Sequence, residues 1–387
     1  MNEGNFIPTP PLNSRAWTLQ ERQLSTRILH FTEYMVLWEC KEHRASTQVP
    51  WGQSKEERGD DWGFRLFDKN PIFDVDKQAD EAPSRQSWLE IIDDYSSRRL
   101  TVLSDKLPAL AGVAQKLDGK GGYGRYVAGL WEKHLPSSLL WKAVPVVDEA
   151  YTPCTRATSY RGPSWSWVSL NGMVTHAQLV PQTTIEPNSG MGSIIKRLNS
   201  DQTEASTKHL ASVLKADPLA TLEEVMVYSD GKYPFLSISG GFVMMSGKVK
   251  KAVVSVIDPE HKEIGKYLDF SILRDGTGTR IGAISVDVEG EVCDKEEVFC
   301  LAVELDKQWP NKLKPWGLDE FIDNAPRLEG EEEYTWWKES LGLGTMILGL
   351  ALKRTSDEDG VYRRVGLVRW IRSDWFDDTD VERIKIV

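Results

Sequence analysis

The sequence has little of what marks several common classes of protein. It has no excess of positive charge: 47 lysines and arginines stand against 58 aspartates and glutamates, a net charge of −11. A chain this acidic repels polyanions, so neither nucleic acid nor an anionic membrane is an expected partner through bulk charge. Only short stretches such as YSSRRL (95–100) and VYRRVGLVRWIR (361–372) are locally basic. Cysteine is scarce. The four residues Cys40, Cys154, Cys293 and Cys300 form no C-x-x-C pair. No disulfide framework is signalled, and a reducing, cytoplasmic setting is expected. The opening MNEGNFIPTPPLNSR lacks the basic and apolar stretches of a secretory signal. The longest apolar run, LGLGTMILGLAL (341–352), is too short to span a bilayer. HExxH, the P-loop and G-x-S-x-G are also missing. No cofactor-binding residue and no metal site are expected.

What the chain has is length and tryptophan. Its 387 residues suggest two or three domains, and 40% hydrophobic with 27% charged residues is a globular profile. Fifteen tryptophans exceed the eleven tyrosines and eleven phenylalanines, so indole serves here as a general packing group.

Read along its length, the chain changes period near residue 145. SRAWTLQERQLSTR (14–27) predicts a helix capped by Ser14, with Trp17, Gln20 or Glu21, and Leu24 on one face. RILHF (27–31) and VLWEC (36–40) predict two strands joined by a turn at 32–35. Residues 46–86 read as a polar loop. Helices are expected at 87–100, at 104–117 with Ser104 as cap and Pro108 in the first turn, and from 123 to near Pro136, followed by a short apolar turn or helix to 141. Beyond that, PSWSWVSL-NG-MVTHAQLV predicts a hairpin turning at Asn171-Gly172, since Asn-Gly suits both central positions of a type I′ turn. Trp165 and Trp167 would then share one strand face, and the core is the preferred reading for them over a ligand platform. After a polar loop near 181–222, strands are expected at 235–257, 280–288, 298–305, 345–354, 361–370 and 382–387. Many short strands between turns indicate a sandwich or barrel. The expected fold is α+β: a helix plus hairpin (1–45), the polar loop (46–86), a helical section (87–145) and an antiparallel β-rich module (146–387).

Candidate chemistry is thin. GKGGYG (119–124) matches G-x-G-x-x-G but follows a helix rather than a strand, so it reads as a linker. Cys40 and His43 stand as C-x-x-H near His30, without the second pair that zinc needs. Ser164 or Ser166 with His176 and Asp148 would make a triad only if the fold assembled them. Glu21, sharing a face with Trp17 and Leu24, is expected to be half-buried beside Arg15, Arg22 or Arg27. A structural ion pair is the preferred reading there, with acid/base chemistry as the alternative. Glu21, His30 and His176 are the weak catalytic candidates.

Four blocks occur in a telling order: RAWTLQERQLSTRILHFT…LWEC (15–40), W…IIDDYSSRRLTVLSDKLPALAGVAQ (88–115), YVAGLWEKHLPSSLLW (126–141) and RGPSWSWVSLNG (161–172). In these the chain resembles the fungal heterokaryon-incompatibility (HET) domain family. The first block resembles the closing motif of the HET domain, the others the region that follows it, and YRRVGLVRW the family's tail. Two earlier family motifs, a Tyr-Trp-Gly-like and an Asp-Ala-Leu-Cys-Ile-Asn-Gln-like sequence, are absent. The resemblance implies non-self recognition linked to programmed cell death, a role tied to the part of the HET domain that is missing. It therefore implies an interaction or regulatory protein that does not trigger death by itself and whose partner is a full-length HET-domain relative. The alternatives are an enzyme using a pocket between the helical and β modules, in specialised metabolism, and a non-functional truncated product. Oligomeric state stays open.

Overall fold

The computed structural model describes residues 11–32, 35–40, 43–54, 85–119, 121–147, 151–176, 218–229, 235–256, 270–306, 346–355 and 359–387. The fold is α+β, with extensive antiparallel strands. Contacts divide the chain into two compact units, Met1–His176 with Val225–Phe242, and Ala177–Glu224 with Val243–Val387. The expected boundary near residue 145 falls inside the first unit. No helix among the described residues is long and apolar enough to cross a membrane.

The first unit contains α1 (Ala16–Leu24), β1 (Arg27–Phe31), β2 (Val36–Cys40), β3 (His43–Ser46), β4 (Gln53–Ser54), α2 (Arg85–Ser96), α3 (Pro108–Asp118), β5 (Tyr126–Val127), β6 (Leu130–Trp131), β7 (Trp141–Val144), β8 (Val146–Val147), β9 (Tyr151–Thr152), β10 (Thr155–Arg156), β11 (Leu170–Asn171) and β12 (Met173–His176). Strands β1 to β4 form an antiparallel sheet in chain order. Helix α1 is shorter than the sequence suggests and has no side-chain cap. Its cap position is Arg15 rather than Ser14, which ends a preceding 3-10 turn, and its first N–H, at Ala16, bonds the Arg99 carbonyl at 2.9 Å. Helix α3 starts at Pro108, where a missing N–H costs nothing.

Two expectations fail here. The helix expected from 123 to near Pro136 is replaced by the short β5–β6 pair and a 3-10 turn at Glu132–His134, with a further 3-10 turn at Ser137–Leu139 before β7. Positive φ at Gly124, Ala128 and Gly129 breaks any helix. The Asn171-Gly172 hairpin is also absent. Leu170–Asn171 pair with Thr155–Arg156, whereas Met173–His176 pair with Trp141–Val144. Asn171 is not at positive φ, so no type I′ turn forms. Gly172 is needed for a different reason: a Cβ there would meet Cys154 Sγ at 2.6 Å.

Tertiary packing of the indoles overrode the local turn signal. Trp165 and Trp167 are both fully buried, in a turn and a 3-10 segment rather than on one strand. Trp167 Nε1 and Trp88 Nε1 each donate to the Gly129 carbonyl at 3.1 Å. Trp141 Nε1 donates to the Trp165 carbonyl at 3.0 Å. Trp88 meets Trp131 and Tyr126 edge-on, and Tyr95 meets Trp167 in the same way, the geometry that aromatic quadrupoles favour.

The second unit carries β15 (Ser271–Arg274), β16 (Arg280–Val286), β17 (Glu297–Asp306), β18 (Met346–Arg354), β19 (Val361–Arg372) and β20 (Val381–Ile386), together with parts of β13 (Thr221–Tyr228) and β14 (Gly240–Ser255). The pairings run β14–β15–β16–β19–β18–β17 and return to β14. Six strands thus close a ring, which removes the open edges an antiparallel sheet would otherwise present. Ala252 and Val254, Val298, Cys300 and Ala302, and Ile347 and Ala351 alternate with period two into one core. Burial pushes the Cys300 thiol up to about 12, so it is held as an inert packing group.

Candidate functional site

The most concentrated polar chemistry in the first unit lies where α1 meets the β1–β2 hairpin. Register pairs Ile28 with Glu39 and His30 with Leu37, so these four share the covered sheet face. Glu39 is 1% exposed. Arg22 of α1 clasps it with both arms, Nε to Oε1 at 2.8 Å and Nη2 to Oε2 at 3.1 Å. His30 Nε2 lies 2.8 Å from Oε1. Burial raises a carboxyl pKa, but the hydrogen bonds and charges of His30 and Arg22 outweigh it and hold Glu39 below its ordinary value. A lowered carboxyl pKa stabilises the fold above the unfolded value and loses that contribution as pH falls through the folded one. Glu39→Gln should therefore cost about 2 kcal/mol near neutrality. The cost should persist below the ordinary carboxyl value and shrink only at a pH low enough to protonate folded Glu39. Urea titrations at the two pH values measure this, and an equal loss at both would count against it.

The expected ion pair at α1 thus exists with a different carboxylate. Glu21 is exposed, not half-buried, and Arg22 reaches Glu39 instead. The helix buries Ala16, Leu19 and Gln23 with Thr18 and Arg22, a stripe displaced from the Trp17–Glu21–Leu24 face. In a helix this polar, the surfaces it packs against select the buried face. Trp17 is half-buried with Nε1 3.3 Å from Asp105 Oδ2, and Leu24 is exposed.

The other face of the β1–β2 hairpin is exposed along β1 and half-buried along β2. It carries Arg27, Leu29 and Phe31 of β1 beside Val36, Trp38 and Cys40 of β2. Leu29 is 56% and Phe31 80% exposed. Cys40 Sγ accepts the His43 backbone N–H at 3.3 Å. Among the described residues no group of three metal-ligating side chains is present.

His176 is not joined to the serines considered with it. It ends β12, fully enclosed, with Nδ1 2.8 Å from Asp93 Oδ1 of α2. Asp93 Oδ2 accepts the Thr175 hydroxyl at 2.7 Å and the His176 N–H at 3.4 Å. The Ser166 hydroxyl instead donates to the Ala128 carbonyl at 2.6 Å and accepts the Val168 N–H at 3.1 Å, capping the 3-10 turn. Asp148 lies outside the described residues. An Asp–His couple orients a base, but no nucleophile among the described residues is bonded to His176 Nε2.

One site went unseen in the sequence. Lys106 is buried under the Trp167 ring, 5.0 Å from its centroid. Its Nζ donates to the Leu170 carbonyl at 2.5 Å and to the Trp167 carbonyl at 3.4 Å. Arg161 Nη2 donates to the same Leu170 oxygen at 2.9 Å. Burial, then the Arg161 charge, push the amine down to about 7. Lys106 sits in the turn preceding α3, where it reads as an ordinary solvated lysine. Glu39 was more accessible to inspection, because its parity with Leu37 in VLWEC puts it on the buried face.

Comparison with protein-family models, with curated proteins and with solved structures finds no match for the chain.

Proposed function

We propose that this chain is an interaction or regulatory protein of the heterokaryon-incompatibility type, acting through a docked partner rather than through bond-making chemistry. The supporting observation is the exposed β1 half of the hairpin's outer face, where Phe31 and Leu29 are largely in water. An exposed edge strand bearing a large aromatic and an aliphatic side chain is the kind of surface that other chains bind. The four sequence blocks in family order supply the biological setting, with a full-length HET-domain relative as the partner. The Arg22–Glu39–His30 cluster serves this reading by holding the hairpin against α1.

Expression in fungal hyphae tests the proposal. The chain alone should leave hyphae alive, and co-expression with a full-length HET-domain relative should change that relative's killing. Phe31→Lys should abolish the change. Death caused by the chain alone, or an effect insensitive to Phe31→Lys, would overturn the reading.

A further inference from the structure

We infer that β1 is a self-pairing edge, and that two copies of this chain join antiparallel through residues 27–31 about a two-fold axis at Leu29. The inference names a second copy as one occupant of the surface on which the interaction reading rests. It begins with the hydrogen-bond parity of the hairpin. Thr32 N–H donates to the Met35 carbonyl at 3.0 Å, closing the turn as a bonded pair. Bonded and non-bonded pairs alternate from there, so His30–Leu37 and Ile28–Glu39 are bonded, whereas Phe31–Val36, Leu29–Trp38 and Arg27–Cys40 are not. The N–H and C=O groups of Arg27, Leu29 and Phe31 therefore point away from β2. Among the described residues no other strand pairs with that side of β1.

The five residues RILHF are self-complementary when read antiparallel. With Leu29 opposite its own copy, Arg27 faces Phe31 of the second chain twice, and Ile28 faces His30 twice. The Leu29 pair and the two Arg27–Phe31 pairs are all of the bonded kind, so every outward backbone group on both edges finds a partner. Shifting the two-fold register by one residue leaves either Phe31 or Arg27 of each copy unpaired. The same register places each guanidinium across from an aromatic ring rather than another cation. It also covers Leu29 and Phe31, the exposed apolar side chains of β1. The contact is small, so the dimer is weak and concentration-dependent.

Sedimentation equilibrium of the full chain tests the pairing and its register. Wild type should pass from monomer to dimer as concentration rises. Phe31→Lys sets a lysine against Arg27 at two positions and should weaken dimerisation by about tenfold or more. The double variant Arg27→Glu with Phe31→Lys sets opposite charges at those positions and should restore the dimer. Circular dichroism of each variant confirms that it is folded. A wild type that stays monomeric at its highest soluble concentration overturns the inference, and so does a dimer indifferent to Phe31→Lys or not rescued by the double variant. A monomer that still alters the relative's killing in hyphae overturns only the self-pairing and leaves the interaction reading standing.

Discussion

Arg364→Ala is expected to destabilise the barrel by roughly 3–5 kcal/mol, the cost of leaving a buried charge without its counter-ion. Arg364 lies in the middle of β19, and both its side chain and that of Asp287 are fully enclosed. Nε donates to Oδ2 and Nη2 to Oδ1, each at 3.1 Å, in the two-armed geometry that carboxylates accept best. Asp287 follows β16 directly, and its N–H is bonded to the Val365 carbonyl at 2.8 Å. It cannot swing outward without opening the β16–β19 seam. Arg364 lies opposite Leu352 of β18, itself opposite Phe299 of β17, a row apart from the core residues Ala351 and Cys300. Removing both charges together, as in Arg364→Met with Asp287→Leu, should recover most of the loss, because it is the orphaned carboxylate that is expensive. Urea unfolding followed in the far ultraviolet measures all three proteins. A loss below about 1 kcal/mol in Arg364→Ala, or a double variant no better than the single one, would refute this account.

Lys106→Met should act in the opposite direction and depend on pH. The amine has a folded pKa of about 7 against an ordinary 10.5. Below about pH 7 it is charged in both states, and the folded state bears the whole penalty of enclosing the charge, of order 5 kcal/mol. Between the two values only the unfolded chain holds the proton, so raising the pH removes the penalty at about 1.4 kcal/mol per unit. Stability from this group therefore rises with pH until the unfolded amine is also neutral. The methionine variant gives up the bonds to Leu170 and Trp167, but Arg161 still satisfies the Leu170 oxygen. It should be more stable than wild type by about 2–4 kcal/mol at pH ~6, with the advantage nearly gone at pH ~10. Paired denaturation curves at those pH values measure it. A variant equally destabilised at both would show that the amine's two bonds outweigh its burial.

The legible parts of this sequence were those in which one local pattern sufficed. Strands β1 and β2, and the barrel strands from β16 to β20, follow runs that read as strands without knowledge of a neighbour. Asn171-Gly172 misled because its turn preference, worth little, competes with burial of two indoles and with pairings to residues 141–144 and 155–156. The helix expected from 123 to near Pro136 has suitable apolar spacing, yet the backbone at 124, 128 and 129 takes a handedness that no helix permits. At the site, Glu21 and Glu39 were distinguishable by strand parity, but Arg22's reach across to β2 was not. Lys106 and Arg364 were illegible for a related reason. Each is a charge whose enclosure depends on segments 61 to 77 positions away in sequence.

The clustered indoles of the first unit have an optical consequence. Trp88, Trp131, Trp141, Trp165 and Trp167, the indoles most deeply enclosed among the described residues, all belong to the first unit. Two of them, Trp88 and Trp131, lie 5.6 Å apart at a steep angle. Coupled chromophores in that arrangement give a paired positive and negative band that disappears once the rings separate, and their emission shifts to the red when water reaches them. Among the described residues of the second unit, Trp370 and Trp375 meet phenylalanines rather than another indole. The paired band of Trp88 and Trp131 thus reports the opening of the first unit, apart from the peptide band, to which the strands of both units contribute.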